Sequence, residues 1–404
     1  MHVMAEANIP ATRRSADAGE GSRIRRRPVR TIMVKKLVPE LRKPRPSYNA
    51  QKSFLPRFLL RLKEDSQFLR STVQLAFATL CVWIGVEFVL FVRWGASGGA
   101  LSYVERPPGV EGFLPISALI SAAYWIHTGV VNYIHPSGLF ILAAIILMSF
   151  IVKKGFCSWL CPIGTLSESL WMLGQKLFKR NLAVPRWLDY PLRSIKYLLL
   201  GFFAYSIFRM SSDELGAFIY SPYNKMADVK LYEFFADLSQ FAFITLSVLI
   251  ILSVVIKNFW CRFLCPYGAL LGIVGWLSPL KITRTRSSCI DCELCTRVCS
   301  ANIKVHTAGR VWSDECTSCM ACVQVCPVKD TLEIRVSKRS RRIPSWVIGT
   351  LLVGAFVAVT GAAMMTSQWQ NSINKAEYLN RFKTVDSPLY QHFRGHVPAY
   401  GPND

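Results

Sequence analysis

The sequence predicts an α-helical polytopic membrane protein with about five transmembrane helices, pseudo-symmetric hairpins and a small inserted α+β domain. Of the 404 residues, 51% are hydrophobic, yet the formal net charge is +23. Apolar membrane spans joined by basic loops produce this combination. All but one of the 13 cysteines fall in two kinds of closely spaced motif. One of these motifs occurs twice, each time after an apolar stretch, which predicts a repeated membrane hairpin.

Five apolar stretches are the candidate membrane spans. The hydrocarbon layer is ~30 Å thick, so a transmembrane helix needs ~20 residues. The first and last stretches satisfy this length, whereas the middle three are short and must extend into flanking residues. The predicted spans are Thr72–Val92, Gly138–Val152, Ile195–Met210, Phe241–Ile256 and Ser345–Met365. A further apolar segment, Glu111–Pro136, is interrupted by proline and glycine, which favours an interfacial or re-entrant segment.

The distribution of basic residues predicts the orientation. Most of the 48 Lys and Arg residues lie in segments 1–70, 153–196 and 257–344, which the positive-inside rule places in the cytoplasm. We therefore expect a multi-pass protein of the bacterial cytoplasmic (inner) membrane, with the N-terminus and the cysteine-rich domain in the cytoplasm and the C-terminus in the periplasm.

Five regions follow from the spans and the motifs. Residues 1–70 predict a largely disordered basic cytoplasmic arm without a cleaved signal. Beside a membrane, such an arm is expected to meet anionic membrane lipid, and no nucleic acid is expected as a partner. The other regions are 71–280, a membrane domain with two hairpin repeats; 281–340, a cytoplasmic cysteine-rich domain; 341–365, the final transmembrane helix; and 366–404, a polar extracytoplasmic tail.

Eight cysteines between Cys289 and Cys326 form the pattern C-x2-C-x2-C-x3-C twice. Three thiolates of one such loop can hold one corner of a cubane, while the fourth cysteine is directed to a second cluster. The pattern therefore predicts two [4Fe–4S] clusters, since zinc ribbons use more widely separated cysteine pairs and disulfides are rare in the cytoplasm. The predicted ligand sets are Cys289, Cys292, Cys295 and Cys326 for one cluster, and Cys316, Cys319, Cys322 and Cys299 for the other.

The segment from Lys281 to Ser340 resembles the bacterial-type two-cluster ferredoxins. It differs from that family at Ser300, where a proline usually follows the fourth cysteine, and this affects the loop and not the ligands. Between the motifs, Ile303–His306 and Arg310–Ser313 are predicted to form a short hairpin. The alternating segment Thr331–Val336 is predicted to close the sheet.

The repeated motif is C-x3-C-P, with Cys157, Cys161 and Pro162 in one copy and Cys261, Cys265 and Pro266 in the other. The copies are 104 residues apart, and a helix is predicted after each proline. Three interpretations of the four thiols stay open: ligands of a third iron–sulfur cluster, redox-active dithiols, or buried packing residues. The remaining cysteine, Cys81, is expected to pack inside the first span.

Three polar residues in apolar surroundings are further candidates. Glu87 lies inside the first span, where an acid is costly, and predicts either proton or quinol chemistry or simple neutralisation by Arg93. His127 and His135 could bind haem, but no matched pair of axial ligands is evident, so a structural or interfacial role is favoured.

From about Phe113 to Ser340 the chain resembles the membrane-bound polyferredoxins of the NapH and NosR type, because it combines two C-x3-C-P elements with a two-cluster ferredoxin. The resemblance implies an electron-transfer subunit, as in a quinol dehydrogenase, linking cytoplasmic clusters, quinol and a respiratory reductase of the nitrate or nitrous-oxide type. It implies no catalytic side chain. The alternative is a redox-sensing assembly or regulatory protein. A flavin is not expected, because the basic arm replaces the flavin-binding domain of NosR-type members.

The orientation gives a first prediction. Alkaline phosphatase fused after Asp404 should be active and a green fluorescent protein fused there should be dark, because five crossings from a cytoplasmic N-terminus end in the periplasm. The same two reporters fused within 179–185 are the control and should behave oppositely. A fluorescent C-terminal fusion would show that the number of crossings is even.

Overall fold

The computed structural model describes residues 54–182, 184–337, 340–391 and 397–401, so most of the predicted basic arm lies outside the described residues. The first half contains α1 (Phe54–Glu64), α2 (Ser66–Ala96), α3 (Pro115–Thr128), α4 (Pro136–Val152), α5 (Gly155–Trp159), α6 (Pro162–Phe178), α7 (Arg186–Phe208), α8 (Ser212–Ile219), α9 (Pro222–Lys225) and α10 (Ala227–Ala236). The second half contains α11 (Gln240–Val255), α12 (Pro266–Trp276), β1 (Lys281–Arg284), α13 (Leu294–Arg297), α14 (Ala321–Val325), β2 (Leu332–Arg335), α15 (Ser345–Met365) and α16 (Lys375–Thr384). A 3₁₀ turn covers Pro108–Phe113, a second covers Pro388–Tyr390, and a π turn covers Trp260–Leu264.

Local sequence sets where several of these helices begin and end. The Asp65 carboxylate caps α2 by accepting hydrogen bonds from the N–H groups of Gln67 and Phe68. Proline occupies the first position of α3, α4, α6 and α12, where its missing N–H has no intrahelical partner to lose. Helix α3 ends at Gly129, whose φ of 72° is left-handed and favours glycine.

Two described helices, α2 and α15, are long and apolar enough to cross a membrane. The helices α10 and α11 together are long and apolar enough for a third span, but they meet at an angle of 81°. They count as a span only if the pair is one bent crossing. Helix α4 is apolar but has 17 residues, which at 1.5 Å per residue is roughly 25 Å and shorter than the hydrocarbon layer. Helix α7 begins well before the predicted span at Ile195 and contains Pro191. The count of five spans therefore stays a prediction.

The helices around the two cysteine pairs pack crosswise. Helix α6, after the first pair, packs against α11, and α12, after the second pair, packs against α4. The segments that follow these helices bind equivalent carbonyl groups: the N–H of Leu182 donates to the oxygen of Val255 at 2.9 Å, and the Ser278 hydroxyl donates to the oxygen of Ile151 at 2.8 Å. Each cysteine pair is thus held by helices from both copies of the motif.

The small sheet differs from the predicted one. Strands β1 and β2 pair antiparallel with Ile282 opposite Ile334, so the predicted closing strand is present. The predicted hairpin between Ile303–His306 and Arg310–Ser313 is wrong. The first segment turns back on itself, with the Val305 N–H bonded to the Ile303 oxygen, while the Val311 N–H bonds to Ile282 in β1. Strand β1, which precedes the cysteines, was not predicted, because it has only four residues.

Two hydrophobic cores hold the chain together. The inner core joins the cysteine-rich domain to α4, α5, α12 and α15. The outer core contains Phe91 and Trp94 of α2 together with Tyr378 of α16. The predicted polar tail therefore contains a packed helix: Tyr378 stacks edge-on against Phe91 with ring centroids 5.0 Å apart, and the Phe382 ring covers Gly95. Tyr378 and Phe382 are four residues apart, so they lie on the same face of α16. This spacing could have predicted a packed helix in spite of the polar composition of the tail.

Close helix packing at Gly174 gives a second prediction. A Cβ atom there would lie 1.9 Å from the carbonyl oxygen of Val254 in α11, so Gly174→Ala must separate α6 from α11. We expect the apparent unfolding temperature in detergent to fall by roughly 2–5 °C. The control is Gly201→Ala in α7, where nothing lies within 4 Å of the added atom, and where alanine should be neutral or stabilising. Equal effects of the two variants would contradict the packing argument.

Candidate iron–sulfur centres

The two C-x3-C-P elements bring their four cysteines to one cavity. Cys157 lies in α5 and Cys261 in the π turn, while Cys161 and Cys265 are the N-cap residues of α6 and α12. All four line a cavity of about 1520 Å³ whose walls are mostly apolar. The charge of each of the other three thiols acts on the pKa of Cys161, so the thiols of both copies lie near one another. We call these residues the four-cysteine site.

The backbone around the second cysteine of each copy favours an anionic sulfur. The Gly164 N–H donates to Cys161 Sγ at 3.4 Å, and the Gly268 N–H donates to Cys265 Sγ at 3.3 Å. Both sulfurs therefore lie at a helix N-terminus, where the helix dipole stabilises negative charge. A Cβ atom at Gly164 would lie 2.0 Å from the carbonyl oxygen of Cys157, so a glycine is needed there.

Burial has the opposite effect on the uncomplexed thiols. It raises the pKa of Cys157 to about 11 and that of Cys261 to about 12. A reactive dithiol needs a lowered thiol pKa, whereas a metal centre supplies the positive charge that stabilises buried thiolates. The four converging thiols, with helix N-termini behind two of them, therefore fit an iron–sulfur cluster better than a dithiol.

The cysteine-rich domain folds its two motifs alike. In each motif the residues before and after the second cysteine have positive φ: 47° and 60° at Asp291 and Glu293, and 51° and 60° at Ser318 and Met320. These left-handed positions curl each loop around its own three cysteines. Sequence spacing predicted the ligands, but the non-glycine residues at these positions gave no sign of the backbone conformation.

The structure brings together the cysteines predicted for the second cluster. They line one small pocket: Cys299, Cys316, Cys319 and Cys322. Burial raises the pKa of Cys299 to about 12, and the charges of Cys319 and Cys316 act on it in the same direction. In the first motif, burial and the charges of Cys292 and Cys289 raise the pKa of Cys295. The assignment of Cys326 to the same cluster as these three cysteines stays a prediction. Within the described ranges, no group of three or more His, Cys, Asp or Glu is arranged to hold a single metal ion. A [4Fe–4S] core is wider than one ion, because each of its four thiolates binds a different iron.

The loop of the second motif lies directly on the first C-x3-C-P element. The Ser158 hydroxyl donates to the oxygen of Thr317 at 2.6 Å, and the Trp159 indole donates to the oxygen of Ser318 at 3.2 Å. From α2, the Gln67 amide donates to the oxygen of Cys319 at 2.9 Å. These contacts place one ferredoxin motif beside the four-cysteine site.

A buried ion pair supports this contact from behind. The guanidinium of Arg70 donates two hydrogen bonds of 2.7 Å to the Glu168 carboxylate and a third, at 3.3 Å, to the oxygen of Ser158. The pair joins α2 to α6 beneath the first C-x3-C-P element. Sequence reasoning did not single out Arg70 or Glu168, because one lies in the basic arm and the other on an unremarked helix face.

The candidate polar residues have structural partners. Both ring nitrogens of His135 are engaged: Nε2 lies 2.6 Å from the oxygen of Asn224, and Nδ1 lies 3.3 Å from Glu111 Oε1. His135 is 1% exposed, whereas His127 is exposed, so the two do not form a pair of haem ligands. Glu87 lines the large cavity and accepts a hydrogen bond from the Trp83 indole at 3.0 Å. No ion pair joins it to Arg93 among the residues that the structure describes.

A buried ionic group beside His135 was missed. Arg106 donates to Glu111 at 2.9 Å and to Asp228 at 2.5 Å, and all three side chains are almost fully buried. Arg106 also lines the large cavity. Charged residues between the apolar stretches could have indicated a buried ionic group. The pairing of Arg106 with Asp228, 122 positions apart, cannot be inferred from sequence spacing.

Comparisons with known proteins agree with the motifs. A family model described as a 4Fe-4S binding domain matches residues 134–181 and again residues 238–285, so each match contains one C-x3-C-P element. A model described as a 4Fe-4S dicluster domain matches residues 281–327. No solved structure matches the chain.

Three relatives have informative names. The putative electron transport protein YccM of Escherichia coli is 40% identical over 328 residues, covering 80% of this chain and 91% of that protein. The regulatory protein NosR of Pseudomonas aeruginosa is 30% identical, covering 47% and 26%. The ferredoxin-type protein NapH of Haemophilus influenzae is 27% identical, covering 48% and 68%. The chain is an inner-membrane 4Fe-4S protein, and it belongs to the NapH/NosR-type polyferredoxins.

Proposed function

We propose that this protein is a membrane electron-transfer subunit that connects two cytoplasmic [4Fe–4S] clusters with the quinol pool and with a respiratory partner of the nitrate or nitrous-oxide reductase type. An iron–sulfur electron-transfer role agrees with its relatives. The observation that carries the finer proposal is the direct contact of the Cys316–Cys322 loop with the first C-x3-C-P element. This contact makes one continuous series of cysteine sites from the cytoplasmic domain to the membrane domain.

The proposed ligands follow the sequence assignment. The outer cytoplasmic cluster takes Cys289, Cys292, Cys295 and Cys326, and the cluster nearer the membrane takes Cys316, Cys319, Cys322 and Cys299. A [4Fe–4S] cluster accepts or releases one electron at a potential set by burial, by hydrogen bonds to sulfur and by nearby charge. The protein supplies these through the buried positions of Cys316 and Cys322 and through the left-handed loops.

We propose that the four-cysteine site holds a third cluster. Convergence of the thiols, the N–H groups of Gly164 and Gly268, and the raised thiol pKa values support a metal centre over a dithiol. The match of a 4Fe-4S binding model to each copy supports the same assignment. In this proposal the two copies are pseudo-symmetric hairpins, each contributing two ligands.

The large apolar cavity is the proposed quinol site. It runs from the four-cysteine site to Arg106, Glu105 and Glu87, and the rest of its wall is mostly apolar. Pockets for small organic ligands combine apolar walls with a few polar groups that orient the ligand. A quinol has this character, with a long apolar chain and two hydroxyl groups.

A regulatory or assembly role is the second candidate. It is favoured by one observation, the relative named regulatory protein NosR. The two candidates differ in whether the clusters must change oxidation state for the protein to act.

Iron content tests the third cluster. Anaerobically purified protein should contain about twelve iron atoms per chain, and Cys157→Ser should contain about eight, because each [4Fe–4S] cluster has four thiolate ligands. Cys81→Ser is the matched control and should retain the full content, since Cys81 lines the same cavity but belongs to neither cysteine motif. A content of about eight in the unsubstituted protein would contradict the third cluster and leave the two ferredoxin clusters in place.

The Cys316→Ala variant separates electron transfer from regulation. We expect it to lose most respiratory electron flux, because it removes a ligand of the cluster in contact with the membrane domain, while isolated complexes with the respiratory partner still form. Quinol analogue should reduce the clusters of unsubstituted protein, whereas in the variant electrons should not pass beyond the four-cysteine site, so the change in visible absorption should be smaller. Normal flux in the variant, or clusters that never respond to a quinol analogue, would overturn the proposal.

A further inference from the structure

A compact group of buried charges lies between the ferredoxin domain and the four-cysteine site. Lys154 is 3% exposed, Lys196 is 0% exposed, and Glu315, the residue before Cys316, is 4% exposed. Burial of three charged side chains is costly unless they are paired. Because these side chains are buried, they do not serve to keep the protein surface soluble, and their burial needs another explanation.

Glu315 is the shared partner of the cations. Lys196 Nζ bonds to Glu315 Oε1, Lys154 Nζ lies 3.8 Å from Oε2, and Arg193 Nη2 lies 3.3 Å from Oε1. The neighbouring Asp314 accepts from Arg193 at 3.2 Å and from the Tyr197 hydroxyl. Two acids of the ferredoxin domain thus enter a group of cations that belongs to the membrane domain.

The charges in this group do not balance. Lys154, Lys196 and Arg193 oppose only Asp314 and Glu315, which leaves one positive charge in excess. Including the adjacent pair of Asp189 and Arg262, at 2.6 Å, leaves the excess unchanged. Arg193 is partly exposed, so water can screen its charge, but Lys154 and Lys196 are buried and share the carboxylate of Glu315. A buried cation without an anion of its own is strongly unfavourable, so a further anion should face Lys154.

Lys154 indicates where that anion lies. Lys154 lines the same cavity as the four cysteines. Against the effect of burial, its positive charge acts to lower the pKa of Cys157 and of Cys265, one thiol from each copy of the motif. Four thiolates around a [4Fe–4S] core have a net negative charge. Such a centre would supply the missing anion, and Lys154 would face it on one side and Glu315 on the other.

Comparison of the two copies shows that this lysine is a departure from the repeat. At the equivalent position, 104 residues later, the second copy has Asn258. Its side chain accepts from Ser167 at 3.4 Å and faces no carboxylate in the described structure. Ser158, which holds the Thr317 carbonyl, is likewise replaced by Arg262 in the second copy. Two residues that distinguish the first copy, Lys154 and Ser158, thus contact the ferredoxin domain.

We propose that Lys154 is a positioning residue that couples the two iron–sulfur regions electrostatically: its ammonium group stabilises negative charge at the four-cysteine site, and Glu315 holds and partly offsets it. This inference rests on the proposed third cluster. A cation beside a redox centre favours the reduced, more negative state, and an acid disfavours it. Removing Lys154 and removing Glu315 should therefore shift the reduction potential of the four-cysteine site in opposite directions.

The experiment is a redox titration followed by electron paramagnetic resonance on the full-length protein in detergent. The signal of the four-cysteine site is identified as the component that Cys157→Ser lacks. Lys154→Asn, which introduces the residue of the second copy, should make reduction of this component at least roughly tenfold less favourable, a fall of about 59 mV for a one-electron couple. Glu315→Gln should raise its potential. Lys154→Arg keeps the charge and should stay near the unsubstituted value.

Lys176→Asn is the control, because it removes the same charge from an exposed position on α6, and it should not shift the potential. Shifts of the same sign in Lys154→Asn and Glu315→Gln, or no shift in either, would overturn the inference while a full iron content left the third cluster intact. If Lys154→Asn loses iron, the rise in Glu315→Gln and the unchanged Lys154→Arg decide the matter. An iron content of eight in unsubstituted protein would instead contradict the proposed third cluster itself.

Discussion

Negative charge on buried sulfur is the constraint on which the rest of the structure depends. In a low-dielectric setting a thiolate is stable only beside cations, helix N-termini or backbone N–H groups. The protein supplies all three around the four-cysteine site. Cys161 and Cys265 are the N-cap residues of α6 and α12, and Lys154 lines the same cavity. The crosswise packing of the helices then holds these elements at one place.

The ferredoxin domain depends on the same constraint. Its second loop is fixed by donors from the membrane domain, because Ser158 and Trp159 bind the carbonyl oxygens that the left-handed loop turns outward. Asp314 and Glu315 then enter the cationic group of α7. A ferredoxin that diffused freely would need neither feature. Here the domain is continuous in packing with the membrane helices, as the shared inner core also indicates.

Sequence reasoning predicted the parts of the molecule that depend on local spacing. The cysteine motifs, the prolines that begin helices, and the closing strand of the small sheet all follow from residues within one turn or loop. It failed where distant residues decide. The partner of β1, the pairing of Arg106 with Asp228, and the contact of Lys154 with Glu315 join positions 48 or more residues apart.

The final helix, α16, has a consequence for how the molecule is made. It supplies Tyr378 and Phe382 to the outer core, against Phe91 and Gly95 near the end of α2. Because the ribosome makes α16 long after α2, the aromatic surface of α2 has no cover until α16 has been synthesised. A chain that stops before α16 would present this surface to proteases and chaperones. Helix α16 thus protects α2 only in chains that extend past Thr384.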